Sequence, residues 1–407
     1  MALVGNIILY IIMASAVIGA LASIRDDQSE LGQEFISGIY SIGPIFLPVA
    51  GIMAATPYIS QFVATVFGPV YSAIGADPAM AATTFIAVDM GGYQLADVLA
   101  QTRESWIMAM ITGYMAGATI VFSIPVGLSM LDKKDHKYMA LGVMSGLLTI
   151  PIGVFISSAI LSLTNAQVRE VISTDAEATY QLALSFGQIF ANLIPLIIIC
   201  VALALGLHFI PDAMIKGFMI FGRGMDALIK LIVVLAIVEY FTGVFSKVLG
   251  GWGFNPIIAD TEDQFRALEI AGYIGIMLSG AFPMVYLIKK FLAKPLEALG
   301  KTFGFSAIGS AGVLAGAANI LALFRIIKDM PAADKVKCIS FAVCSAFLLG
   351  DHLAFTANFQ PTMIVPVMAG KFIAGLIAIL FAIKLSVPKA IQLEKLELAA
   401  AESAVTE

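Results

Sequence analysis

A few ionisable side chains stand inside long apolar runs of this chain. Asp89 lies in "TTFIAVDMGGYQLAD", Asp351 and His352 in "LLGDHLAFTANF", and Lys371 in "MAGKFIAGLIAIL". Glu239 sits about two turns from the end of its apolar segment, close enough to be interfacial. A charge at membrane depth costs about 2.5 to 3.5 kcal/mol even on the lenient insertion scale, so each of these residues is a candidate for function. Lys371 is the natural partner of Asp351, since an ion pair would neutralise both charges. Asp89 is then a buried negative charge with no partner in the sequence, an arrangement for receiving a cation. His352 reads either as a hydrogen-bonded core histidine or as a proton partner.

Aromatic residues follow both carboxylates at helical spacing, Tyr93 four after Asp89 and Phe355 four after Asp351. An ammonium group could meet a carboxylate and a ring together, cation–π attraction adding about 2 kcal/mol when desolvated. Gly91 and Gly92 either interrupt the first of these turns or let backbone approach a ligand. A second polar group lies beside prolines: Ser123 in "FSIPVG", Thr149 in "LTIPIG", and Gln188 and Asn192 in "GQIFANLIP". Such residues can repair backbone groups freed by proline. Asn319, in "FSAIGSAGVLAGAANILAL", has no proline to repair and is the better candidate for a substrate hydroxyl. The candidate binding set is therefore Asp89, Tyr93, Ser123, Asn192, Asn319, Asp351 and Phe355, with His352 and Lys371 as proton or ion-pair partners.

The elements that must hold these residues are helices in a bilayer. Of 407 residues, 60% are hydrophobic and 13% charged, far from the usual globular balance. Runs of about 20 apolar residues match the length a helix needs to cross about 30 Å of hydrocarbon. The expected fold is an all-α polytopic membrane protein with about 10 to 12 transmembrane or re-entrant elements, some of them broken. Residues 1–390 form one transporter domain and 391–407 a short, frayed cytoplasmic tail. The run "LVGNIILYIIMASAVIGALASI" reads as a retained helix, lacking a basic leader. Lysine-rich "DKKDHK", "KKFLAKPLEALGK" and the tail go inside, and the polar loops at 164–181 and 250–264 go outside. The basic loop at 325–337 fits that parity if 304–327 is re-entrant. The prolines in "SIGPIFLPVAGIMAATPYIS" predict further breaks between 35 and 75. The broken elements at 35–75 and 304–327 are expected to face each other across the substrate path. A weak echo pairs "GIMAATPYI" with "GVLAGAANI", and Asp89 with Asp351, suggesting an internal repeat.

Cys200, Cys338 and Cys344 form no C-x-x-C pair and read as packing residues. The chain carries no phosphate-binding glycine loop, H-E-x-x-H, nucleophile elbow or basic strip. No catalysis, metal, cofactor or nucleic-acid partner is expected. Asp351 follows "FLLG" without the G-x-G-D pattern of intramembrane aspartyl proteases, the rival enzyme class, and a purely receptor or assembly role lacks any soluble sensing region. These residues alone give a carrier or facilitator of a small amine or cation, with homo-oligomerisation left open.

Several stretches in order, "AVDMGGYQLA", "GATIVFSIPVGL", "ALGVMSGLLTIPIG", "LGLHFIPDAMIKGF" and "LLGDHLAF", resemble the ethanolamine utilisation transporter family, EutH, over nearly the whole chain. One departure is the run Ala318–Asn319–Ile320–Leu321, where the family's pattern is a paired Asn followed by Pro. The resemblance implies a multi-pass protein of the bacterial inner membrane, a permease for ethanolamine in its utilisation, with the lipid bilayer and that small molecule as partners. Ethanolamine, a small cation with one hydroxyl, fits a site of carboxylate, aromatic wall and amide.

Overall fold

The computed structural model describes residues 2–406, and among them seven helices are long and apolar enough to cross a membrane. The chain begins with α1 (Ala2–Arg25) and a second crossing made of α2 (Glu30–Tyr40) and α3 (Ile42–Ala54). Ser29 caps α2 through the Gly32 N–H, and Pro48 lies inside α3. Next come α4 (Thr56–Val66) and α5 (Gly68–Ala73), each with a proline in its first turn, where the missing donor costs nothing. The sequence-predicted breaks between 35 and 75 thus fall at Ser41, Ala55 and Phe67.

A hairpin follows, built of α6 (Ala79–Phe85) and α7 (Gly92–Leu99). The Asp77 carboxylate accepts the Ala79 and Gln101 N–H groups at 2.9 Å each, so both ends of the hairpin lie at one side of the membrane. Its unwound tip carries Asp89. α8 (Arg103–Thr112), a π-helical segment (Gly113–Ser123) and α9 (Ile124–Met130) then make one long crossing. It is followed by α10 (His136–Leu147) and α11 (Ile150–Thr164). A loop holding the ribbon β1 (Gln167–Val168) and β2 (Tyr180–Gln181) leads to α12 (Phe186–Phe209), α13 (Pro211–Thr242), α14 (Val244–Leu249) and α15 (Ala267–Thr302).

A second hairpin, α16 (Ala307–Ala318) and α17 (Ile320–Ile326), turns at Asn319, whose backbone is extended (φ −156°, ψ 124°). α18 (Ala332–Ser345) and α19 (Asp351–Phe359) form a crossing interrupted at 346–350, and α20 (Ile364–Leu385) and α21 (Val387–Thr406) end the chain. α21 docks through Glu394, which accepts the Ala332 N–H at 2.9 Å, and Glu397, which meets Lys137 and Tyr138.

Contacts sort the loops into two ends. Lys335 pairs with Asp135 and Glu397 with Lys137, which gathers the lysine-rich segments on the inner side. Arg169 meets Asn358, Arg103 meets Glu170, and Asn255 meets Ala54, gathering the acidic loops outside. Gly5 lies against the Pro361 carbonyl, which places the start of α1 at the outer end and settles the direction of the N-terminal third. The hairpin 77–101 therefore enters from outside and 304–329 from inside. The order crossing, crossing, hairpin, interrupted crossing, crossing occurs twice in opposite directions: α1, α2–α3, α6–α7, α8–α9, α10–α11, then α13, α15, α16–α17, α18–α19, α20. This corrects the repeat suggested by the sequence echo. Asp89, at a hairpin tip, has Asn319 as its counterpart, whereas Asp351 lies at the interruption of a crossing.

Candidate functional site

Asp89 sits in a 3-10 turn, Val88–Met90, between α6 and α7. Gly91 ends the turn at φ +92°, in the left-handed region that favours glycine, so the helical spacing to Tyr93 does not hold. The tip approaches the π-helical segment very closely, since a Cβ on Gly117 would lie 2.2 Å from the Ile86 carbonyl oxygen. Such π segments commonly mark functional stretches of helix. Asp351 opens α19, where the N-terminal end of the helix dipole favours a carboxylate. The tip carrying Asp89 packs against α19, the helix that Asp351 opens.

Both carboxylates keep partial exposure in an otherwise buried region, 16% for the Asp89 side chain. Among the described residues Asp89 has one ion-pair neighbour, His352 Nε2 at 3.8 Å, and Asp351 has none within 4.0 Å. Lys371 does not form the expected salt bridge with Asp351. Its ammonium donates to the Tyr114 carbonyl at 2.9 Å. The interruption at 346–350 explains the correction, because it displaces Asp351 from a simple helical register with α20.

Around the aspartates the structure builds an aromatic wall. Tyr93 stacks on Trp106 (4.7 Å between centroids) and meets Phe355 edge-on at 5.5 Å; Tyr114 lies 4.9 Å from the His352 ring. His352 lies beside Asp89, and Tyr93, Phe355 and Tyr114 form one aromatic cluster that reaches the His352 ring. Tyr114, Trp106 and Gln360 were not found from sequence, since none of them lies four residues after a membrane carboxylate. The Tyr114 hydroxyl bonds Thr356 Oγ1 at 2.5 Å. Asn319 Oδ1 caps α17 at the Leu321 N–H (2.8 Å), and Ser123 donates to the Ala118 carbonyl (3.0 Å). Asn192 Oδ1 accepts the Asp77 N–H at 2.7 Å, pinning the root of the first hairpin. Thr149 bonds back to Gly146, Gln188 completes a capping box with Ser185, and Glu239 holds the turn at Phe245 and Ser246.

A cavity of about 650 Å³ lies between α3, α13 and the α9 end of its crossing, lined by Pro44, Pro48, Phe122, Arg223 and Asp226 and reaching Met90, the neighbour of Asp89. Lys133 and His136 lie on its wall, so it opens toward the inner side. The prolines of α3 line this path, whereas α16 and α17 are absent from its lining, so the expected facing of 35–75 and 304–327 across it is not what the structure builds.

A cluster of buried hydrogen bonds lies toward the outer loops. Gln360 Oε1 accepts the Arg169 N–H, and its amide donates to the Arg169 carbonyl and the Tyr93 hydroxyl, all at 2.9 Å. The Arg169 guanidinium is buried against the carbonyls of Ser173, Thr174, Ala176 and Asn358.

The model of the family described as "Ethanolamine utilisation protein, EutH" matches residues 4–385. The chain belongs to this family. A Listeria monocytogenes relative named probable ethanolamine permease EutH is 37% identical over 377 residues, 92% of each chain. Relatives of the same name from Escherichia coli and Salmonella typhimurium are each 39% identical over 368 residues, 88% of this chain and 86% of theirs. No solved structure matches. Family membership joins a multi-pass helical architecture to a site whose carboxylates lack a salt-bridged lysine or arginine among the described residues.

Proposed function

We propose that this chain is an ethanolamine permease of the bacterial inner membrane. The observation that carries the reading is the pair of partly exposed aspartates beside an inward-opening cavity, with no lysine or arginine among the described residues paired to either. A buried charge left unpaired is costly, and a visiting ammonium removes that cost while present. Asp89 serves as main counter-ion and Asp351 as its companion, and Tyr93, Tyr114 and Phe355 supply π faces and apolar wall for the two methylenes. The inner cavity, with Gln360 and Arg169 bonded together toward the outer loops, corresponds to an inward-facing state. Inverted repeats that place the site between them are the usual basis of alternating access in carriers.

The test is uptake of labelled ethanolamine by liposomes holding only this protein. Asp89→Asn keeps shape while removing charge, and hydrogen bonds to charged groups are worth about 1.5 to 3 kcal/mol. The expected loss of apparent affinity is roughly tenfold to a hundredfold. Wild-type affinity in a folded Asp89→Asn protein would remove Asp89 from the site.

A further inference from the structure

We infer that His352 is the residue that recognises the hydroxyl of the substrate, and so separates a hydroxyalkyl amine from a plain alkyl amine. The inference rests on the site proposed above and goes beyond it by naming the group that sets specificity. Both ring nitrogens of His352 are buried and have no hydrogen-bond partner among the described residues, and the residue is 1% exposed. Burying a polar group with no partner is costly, so an unpaired imidazole in an aromatic pocket has a function only when something arrives to bond it.

Apart from the Asp351 carboxylate, which attends the ammonium as companion of Asp89, the neighbouring polar side chains are already bonded. The Tyr93 hydroxyl accepts from Gln360, Tyr114 and Thr356 bond each other, and Thr356 also donates to the His352 carbonyl. Asn319 Oδ1 caps α17 and Ser123 bonds the carbonyl of Ala118. His352 Nε2 instead points at Asp89 Oδ1 across 3.8 Å, too long for a hydrogen bond. A turn of the partly exposed Asp89 side chain widens that gap. The ammonium then rests on the carboxylate while the hydroxyl, two carbons away, reaches Nε2. Tyr114 and Phe347, with ring centroids 4.9 and 5.3 Å from the imidazole, hold it in place. A neutral imidazole suits this task, since it both donates and accepts. Sites built to bond a substrate hydroxyl reject analogues without one strongly, because the buried polar group is then left unpaired.

The experiment is competition by ethylamine against labelled ethanolamine uptake in proteoliposomes of the full chain, with wild type, His352→Phe, His352→Gln and Asp89→Asn. Wild type is expected to favour ethanolamine at least tenfold. His352→Phe should bring the two amines within about threefold by weakening ethanolamine alone, and His352→Gln, which keeps a donor and an acceptor, should restore most of the difference. His352→Gln also keeps the test open if the phenylalanine variant does not fold, in which case His352→Leu takes its place. Asp89→Asn should weaken both amines alike. Discrimination that survives in folded His352→Phe or His352→Leu overturns the inference, as does a wild type that does not discriminate. If Asp89→Asn binds both amines normally while His352→Phe abolishes discrimination, the Asp89 assignment falls and that of His352 stands.

Discussion

Lys371 of α20 donates its ammonium proton to the main-chain carbonyl of Tyr114, 2.9 Å away in the π-helical segment. The lysine therefore fastens one crossing to the irregular stretch of another. Two effects of Lys371→Met follow, and they oppose each other. Loss of the bond removes a buried hydrogen bond from a charged donor, worth about 1.5 to 3 kcal/mol, so the melting temperature should fall. Loss of the positive charge makes the aspartate pair a better cation site, so ethanolamine affinity should rise. A thermal-shift series with increasing ethanolamine measures both, and unchanged affinity in a destabilised variant would show that Lys371 acts on structure alone.

Gly117 offers a test of how the first hairpin is seated. A methyl there would press on the Ile86 and Thr83 carbonyl oxygens at 2.2 and 2.7 Å, neither of which can yield without moving the tip that carries Asp89. Gly117→Ala is expected to abolish uptake and destabilise the protein, by about 1 to 3 kcal/mol as for other overpacked cores. Gly43 in α3 has open space around it, and Gly43→Ala should be neutral or slightly stabilising. Equal behaviour of the two variants in uptake and melting would count against the close approach.

The ionisable residues were legible in the sequence because membrane burial makes each conspicuous, and Asp89, Asp351 and His352 do come together. The partner of Lys371 was not legible, since a main-chain carbonyl carries no sequence signature. Re-entry at 304–329 followed from counting basic loops, whereas the hairpin at 77–101 has almost no charge at its tip and needed the Asp77 contacts to reveal it. Asn192 looked like a substrate ligand because asparagine is polar at depth. Its partner, the Asp77 N–H, is 115 residues away in the chain.

The outer hydrogen-bond cluster gives a third test. Gln360 joins Arg169 of the outer loop to Tyr93 of the first hairpin, so Gln360→Leu strands the Arg169 N–H and carbonyl and frees the Tyr93 hydroxyl. The unpaired groups should lower stability by about 1 to 3 kcal/mol each. Freed of its anchor, the loop at 169–184 should become sensitive to protease added from the outer side. Protection equal to wild type would mean that the Arg169 bonds to Ser173, Thr174, Ala176 and Asn358 hold the loop without Gln360.

The C-terminal helix should respond to acid. At Glu397 burial alone would push the carboxyl upward. The hydrogen bonds from Lys137 and Tyr138, with the charges of Lys137 and Lys335, outweigh it and hold the group below the ordinary glutamate value. A carboxyl lowered by folding stabilises the docked state above its unfolded value, and that contribution disappears as pH falls through the lowered value. Docking of α21 on α10 and α18 should accordingly be intact near neutral pH and weaken progressively below the normal glutamate range. Limited proteolysis of the C-terminal segment at stepped pH reads this directly. Glu397→Gln should expose the segment at neutral pH much as acid exposes the wild type, and Lys137→Ala should do so to a smaller degree, because the Tyr138 hydroxyl still donates to Glu397 at 2.7 Å. If cleavage of the wild-type tail does not change with pH, or if Glu397→Gln remains fully protected, the helix is held by apolar contacts such as buried Ala390 rather than by the Glu397 cluster.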